Sequence, residues 1–199
     1  MPRLAPTRRE ELAEFEPLFS AIEKGMGFLP NSMLLMARRP QLLQAFATLS
    51  GQVLLGATLS PEIRQLVAYV ASLAAGCRYC QAHTSHGAHR AGASAEKVEA
   101  AFQFETSPLF TDGERAALRL ARDASLSPAA TGQAHFDELR KHYDEDEILQ
   151  LVSIISLFGW LNRWNDTLAT ALESAPRAFA ERHLESSGWE IGAHDGDKE

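Results

Sequence analysis

Apolar positions along this chain recur with the three-and-four spacing of a helix almost everywhere, and no alternating stretch flanked by hairpin turns interrupts them, which predicts an all-α, multi-helical fold. Thr7 and Glu10 have the spacing of a capping box and predict a helix over residues 10–24, stopped by Gly25, Gly27 and Pro30. Asn31 opens a short helix to residue 39, and Pro40 sets it apart from one over 41–55. Ser60, Pro61 and Glu62 are a strong helix start, since serine caps, proline suits the first turn and an acid complements the dipole. The helix they open, residues 61–75, is apolar around most of its circumference, as buried helices are. Gly76 breaks it before a helix over 77–91.

Beyond Gly92 the pattern predicts helices over 95–104, 112–124 (opened by the Thr111–Glu114 box), 132–142 and 145–172, and a last amphipathic one beyond Pro176. One domain is expected over residues 1–185, with 186–199 as a frayed polar tail. Glu62-Ile-Arg-Gln-Leu-Val67 and Glu147-Ile-Leu-Gln-Leu-Val152 share five of six residues and suggest a duplicated helical unit. At that offset Cys77 aligns with Asn162, and Cys80 with Asn165.

Composition narrows the chemistry. The 199 residues are 45% hydrophobic and carry a net charge of −7, with no basic block, so a nucleic-acid surface is not expected. No apolar run reaches membrane-spanning length and the start has no signal-like core, so a cytoplasmic protein is expected. Two cysteines are too few for a secreted disulfide framework, and their C-x-x-C spacing points to redox chemistry or metal.

Both cysteines lie in GCRYCQAHTSHGAHR, residues 76–90. Three positions along a helix are about 60° apart, so Cys77 and Cys80 can meet, and a helix start stabilises a thiolate. Cys77-x-x-Cys80-x-x-His83-x-x-His86 resembles a zinc pattern, but the same drift keeps four such ligands on one helix from converging. A metal site would need ligands from a loop or a second chain, and no metal or other cofactor is expected. His83, one turn beyond Cys80, is a candidate proton carrier. Tyr69 could offer a hydroxyl to the site. Asn162-Arg-Trp-Asn-Asp166 breaks an otherwise apolar helix and reads as a locking polar network, or as pocket lining through Arg163.

The segments LSPEIRQLVAYVASLAAGCRYCQAHTSHGAHRAG, FTDGERAALRLA, LFGWLNRWNDTLATALE and GFLPNSMLLMARRP, spread over residues 25–176, resemble the alkylhydroperoxidase D and carboxymuconolactone decarboxylase superfamily, in particular its peroxidase-related branch. The resemblance implies an all-helical homo-oligomer (trimer, dimer or hexamer). It also implies a thiol peroxidase of peroxiredoxin type that reduces small peroxides through the C-x-x-C pair, restored by a dithiol protein or a low-molecular-weight thiol. In that pattern Cys80 attacks and Cys77 resolves. The family's relay glutamate and histidine fall here on Gln65 and Thr84, neither of which titrates near pH 7, so a modified relay through His83 is expected, with Gln65 orienting a histidine or water. Two alternatives remain: a carboxymuconolactone decarboxylase-like non-redox enzyme, and a non-catalytic oligomeric scaffold or redox sensor.

Overall fold

In the computed structural model, which describes residues 2–55 and 58–196, ten α-helices joined by short turns and 3-10 segments form the chain, and the described residues contain no strand. They are α1 (Glu16–Met26), α2 (Asn31–Met36), α3 (Pro40–Leu54), α4 (Pro61–Ala75), α5 (Arg78–Arg90), α6 (Ala95–Glu99), α7 (Asp112–Ala124), α8 (Gln133–Leu139), α9 (Glu145–Leu168) and α10 (Ser174–His183). None is long and apolar enough to cross a membrane.

The helix starts follow local chemistry. Ser60 Oγ accepts from Ile63 N at 3.3 Å, and Thr111 Oγ1 accepts from Glu114 N at 3.2 Å while Glu114 Oε2 accepts from Thr111 N at 2.8 Å. Asp144 and Glu147 cap α9 reciprocally in the same way. The first expected box does not form. Thr7 N donates to Leu34 O instead, the stretch before α1 folds into two 3-10 turns, and Arg9 crosses to Glu16 and Glu23 at 2.6 and 2.7 Å. A strong cation with two acids in reach outcompetes one hydroxyl cap.

Helix α4 is the central element: Leu66, Val67, Ala68, Tyr69, Ala71 and Ser72 are fully buried, and α5, α7 and α9 pack around it. Its last turn ends at Gly76, whose φ of +77° lets the chain reverse directly into α5. Helix α5 then lies between α4, α9 and α10.

Two departures shape the site. Helix α9 ends at Leu168, four residues short of expectation, because Ala169 adopts φ +50° and turns the chain away. The expected frayed tail is packed as far as residue 196: Trp189 is 3% exposed and His194 1%, and Trp189 Nε1 donates to Arg78 O at 3.2 Å. An indole and an imidazole inside a polar stretch supply enough buried surface and hydrogen bonding to hold it down. Residues 197–199 lie outside the described ones.

Candidate active site

Cys77 is the last residue before α5 and Cys80 lies in its first turn, so the turn at Gly76 sets both sulfurs against α9. Both are free thiols, 0% and 2% exposed. Three partners surround them. On α9, Asn165 Nδ2 donates to Cys80 Sγ at 3.5 Å. From the C-terminal stretch, His194 turns its ring toward Cys77. Asp166, next to Asn165, closes the group: one ligand-type atom each of Cys77, Asp166 and His194 lies within 4.8 Å of the others.

The imidazole of His194 is fixed in one orientation. Its Nδ1 lies 2.8 Å from Thr170 O, a carbonyl that only accepts, so Nδ1 carries the proton and donates it. Nε2 is left with its lone pair, buried and without a full hydrogen bond, 3.5 Å from Asp166 Oδ1. Leu172 N donates to His194 O at 2.9 Å, which ties the same residue to the loop after α9. Asp166 is 63% exposed in its side chain, so the cluster reaches solvent at that edge.

The two thiols divide in acidity. Cys77 is lowered to about 6: the hydrogen bond from the Cys80 thiol is the largest cause, burial opposes it, and His194 and the Cys80 backbone N–H act in the same direction as Cys80. Cys80 is pushed well up, first by burial and then by its role as donor to Cys77, with Asn165 opposing. His194 is raised, because the neighbouring Cys77 and the Thr170 carbonyl outweigh its burial. The arrangement is one acidic sulfur, one neutral thiol donating to it, and an imidazole beside the acidic sulfur.

The residues anticipated from sequence fall into two groups. Cys77 and Cys80 come together. His83 is engaged by an acid: its Nε2 lies 2.5 Å from Glu173 Oε2, and its ring stacks on Tyr79 with centroids 4.3 Å apart. Glu173 also accepts from Tyr79 Oη at 2.8 Å and from Asn31 N, so His83 belongs to a buried polar knot joining α2, α5 and α10. Burial would raise the Glu173 carboxyl, but His83 and the donors hold it below its ordinary value. Thr84 Oγ1 donates back to Cys80 O at 2.6 Å and is thereby occupied within its own helix. Gln65 packs on α5 where Gly87 leaves room; a Cβ there would come within 2.6 Å of Gln65 Oε1. Tyr69, fully buried, faces Phe102 edge-on at 6.4 Å, and burial with the charge of Glu99 raises its hydroxyl. Arg163 donates to Gly159 O of its own helix.

Sequence reasoning missed His194, which lay in the segment assigned to the tail. The only available signal was Trp189 and Ile191, two large apolar residues shortly before it. Asn165 and Asp166 were noticed as a cluster but not as neighbours of the cysteines.

The sequence profile of the carboxymuconolactone decarboxylase family matches residues 40–123, which takes in α3, α4, α5 and both cysteines. A crystal structure of the debrominase Bmp8, a cysteine-to-alanine variant in complex with 2,3,4-tribromopyrrole, is 37% identical, with a TM-score of 0.85 over 92% of this chain and 99% of that one. A peroxidase-related protein from Ralstonia eutropha JMP134, described as an alkylhydroperoxidase D core, shares the fold at 20% identity and a TM-score of 0.80, over 90% of this chain and 95% of its own. The uncharacterized protein YnjA of Escherichia coli K12 is 31% identical over 110 residues, and this chain spans 60% of its length. With the profile centred on the two thiols and a relative matched along nearly its whole length, this chain belongs to the carboxymuconolactone decarboxylase family.

Proposed function

We propose that this chain is a dithiol oxidoreductase that passes two electrons from Cys77 and Cys80 to a small electrophile. The observation that carries the reading is the pair of free thiols one helical turn apart at the start of α5, with the His194 imidazole beside Cys77. Cys77 takes the attacking role and Cys80 the resolving one, the reverse of the order the family resemblance implies, because the thiolate is the nucleophile and Cys77 is the cysteine that sits at the start of α5 beside the His194 imidazole.

With a peroxide as electrophile, the activity is that of a thiol peroxidase. The Cys77 thiolate attacks one oxygen, the O–O bond breaks, and the leaving alkoxide or hydroxide takes a proton from protonated His194. Cys77 becomes a sulfenic acid. Cys80 then attacks that sulfur, water departs with the Cys80 proton, and a disulfide remains. Asn165, donating to Cys80 Sγ, stabilises the developing thiolate of the second step. A dithiol protein or small thiol reduces the disulfide and closes the cycle.

A second electrophile is favoured by the similarity to Bmp8, which spans nearly the whole chain. In a reductive debromination the same two thiols supply the same electrons: aryl bromide and two thiols give the hydrogen-substituted arene, the disulfide and hydrogen bromide.

One experiment tests the reading and separates the two electrophiles. Reduced protein is mixed with cumene hydroperoxide or with a tribromopyrrole, and free thiols are counted against time, with released bromide measured in the second case. Loss of two thiols per chain, with an intramolecular disulfide on mass analysis, is expected with at least one of them. Unchanged thiols with both would overturn the oxidoreductase reading and leave the non-redox alternatives.

A further inference from the structure

The groups around the Cys77 sulfur converge more closely than proton transfer alone requires: one ligand-type atom each of Cys77, Asp166 and His194 lies within 4.8 Å of the others. His194 is 1% exposed, its Nδ1–H is used by the Thr170 carbonyl, and its Nε2 faces the sulfur and a carboxylate without a full hydrogen bond to either. A buried imidazole nitrogen left in this state costs free energy, of the order of 1–3 kcal/mol, unless something occupies it. An imidazole whose second nitrogen is fixed by a backbone carbonyl is also the form in which histidine holds a metal ion, because that hydrogen bond sets the tautomer and aims the lone pair.

We propose that Cys77 Sγ, His194 Nε2 and the Asp166 carboxylate form a binding site for a divalent zinc-like cation, one that takes the redox sulfur out of reaction while it is bound. Charge and chemistry agree with this. A thiolate, a carboxylate and a neutral imidazole total −2, so a dication leaves the buried site neutral. Sulfur and imidazole select zinc over magnesium or calcium, which prefer oxygen. Three protein ligands leave a fourth position for water or for the adjoining Cys80 thiol. The exposed side of Asp166 gives the ion an entrance.

The helix argument against zinc concerned ligands drawn from α5 alone, and it holds, since His83 is committed to Glu173. The additional ligands come from the end of α9 and from the C-terminal stretch, which sequence spacing could not bring together. Ligation is independent of which electrophile the thiols reduce, and of whether they reduce one.

The test uses full-length, reduced, metal-free protein titrated with Co²⁺ and then with Zn²⁺. One ion per chain is expected, with a thiolate-to-cobalt charge-transfer band that zinc abolishes, and with Cys77 protected from iodoacetamide until a chelator is added. Asp166→Asn and His194→Ala are each expected to weaken binding by more than the roughly 10- to 100-fold that loss of an outer-shell partner costs. Asp166 is largely exposed, so its variant keeps the fold even if the histidine variant does not. Absence of the band, or binding unchanged in either variant, overturns the site. Thiol loss with peroxide or bromopyrrole, measured on the same metal-free samples, reports the oxidoreductase reading separately.

Discussion

Asn165 donates its side-chain amide to the sulfur of Cys80 at 3.5 Å, across 85 residues of chain, the same offset that aligns the two Glu-Ile-x-Gln-Leu-Val hexapeptides. The positions that this offset aligns therefore touch, a thiol from one segment and an amide from the other. Only the first segment carries sulfur there. The second supplies a hydrogen-bond donor to it.

That pairing predicts the effect of Asn165→Ala. Without the amide, the Cys80 thiolate that must form during resolution loses a donor worth about 1.4 kcal/mol, so disulfide closure slows about tenfold while the first attack by Cys77 is unaffected. Trapping the Cys77 sulfenic acid with dimedone should give markedly more adduct in the variant than in the parent. Equal trapping would remove Asn165 from the second step.

Thiolate formation followed by ultraviolet absorbance should show one ionisation per chain with a midpoint at about 6, well below the ordinary thiol value of 9.0. Since Cys80 is the largest cause of the lowering, Cys80→Ala should move that midpoint upward, and His194→Ala should move it upward by less. Cys77→Ser should abolish the early ionisation. A midpoint that stays in place in Cys80→Ala would contradict the assignment of acidity.

The sequence carried the scaffold and half of the site. Helix starts marked by Ser60 and Thr111, and the break at Gly76, are local chemistry, and they form as the residue order implies. The meeting of Cys77 and Cys80 is also local, one turn of one helix. His194 was not legible, because its place depends on Trp189 reaching the Arg78 carbonyl 111 residues away. The partner of His83 was hidden for the same reason: its spacing from Cys80 suits a proton carrier, but the residue before α10, Glu173, brings a carboxylate that holds its ring. Periodicity shows which face of a helix is buried. It does not show which distant acid waits on that face.

The C-terminal stretch both covers the thiols and acidifies one of them, which gives its removal two opposing effects. A chain ending at residue 188 loses Trp189 and His194. Its Cys77 midpoint should rise, because the imidazole no longer favours the thiolate, while the alkylation rate at a pH where both proteins are fully ionised should increase, because the sulfurs are uncovered. The full pH profile of iodoacetamide reaction distinguishes the two effects. A truncated chain whose profile overlays the parent's would show that the stretch neither shields nor tunes the thiols.

The Glu173 knot predicts a different signature, one of stability without redox consequence. Glu173 accepts from Tyr79 and Asn31 and pairs with His83, with side chains only 9% and 10% exposed for the acid and the histidine. Removing the charge in Glu173→Gln weakens the charge-assisted hydrogen bonds that the carboxylate makes with His83, Tyr79 and Asn31, a loss of about 1–3 kcal/mol. The pH dependence follows from the sign of the shift. The folded Glu173 carboxyl lies below its ordinary value of 4.5, so its contribution is complete above that value and is lost as pH falls through the lowered one. Denaturant unfolding across the acid range should therefore lose stability less steeply in Glu173→Gln than in the parent. His83→Ala should lower stability by a similar route while leaving the Cys77 ionisation midpoint and the rate of peroxide-driven thiol loss in place. A His83→Ala protein with full stability and slowed thiol oxidation would instead return that histidine to the proton relay.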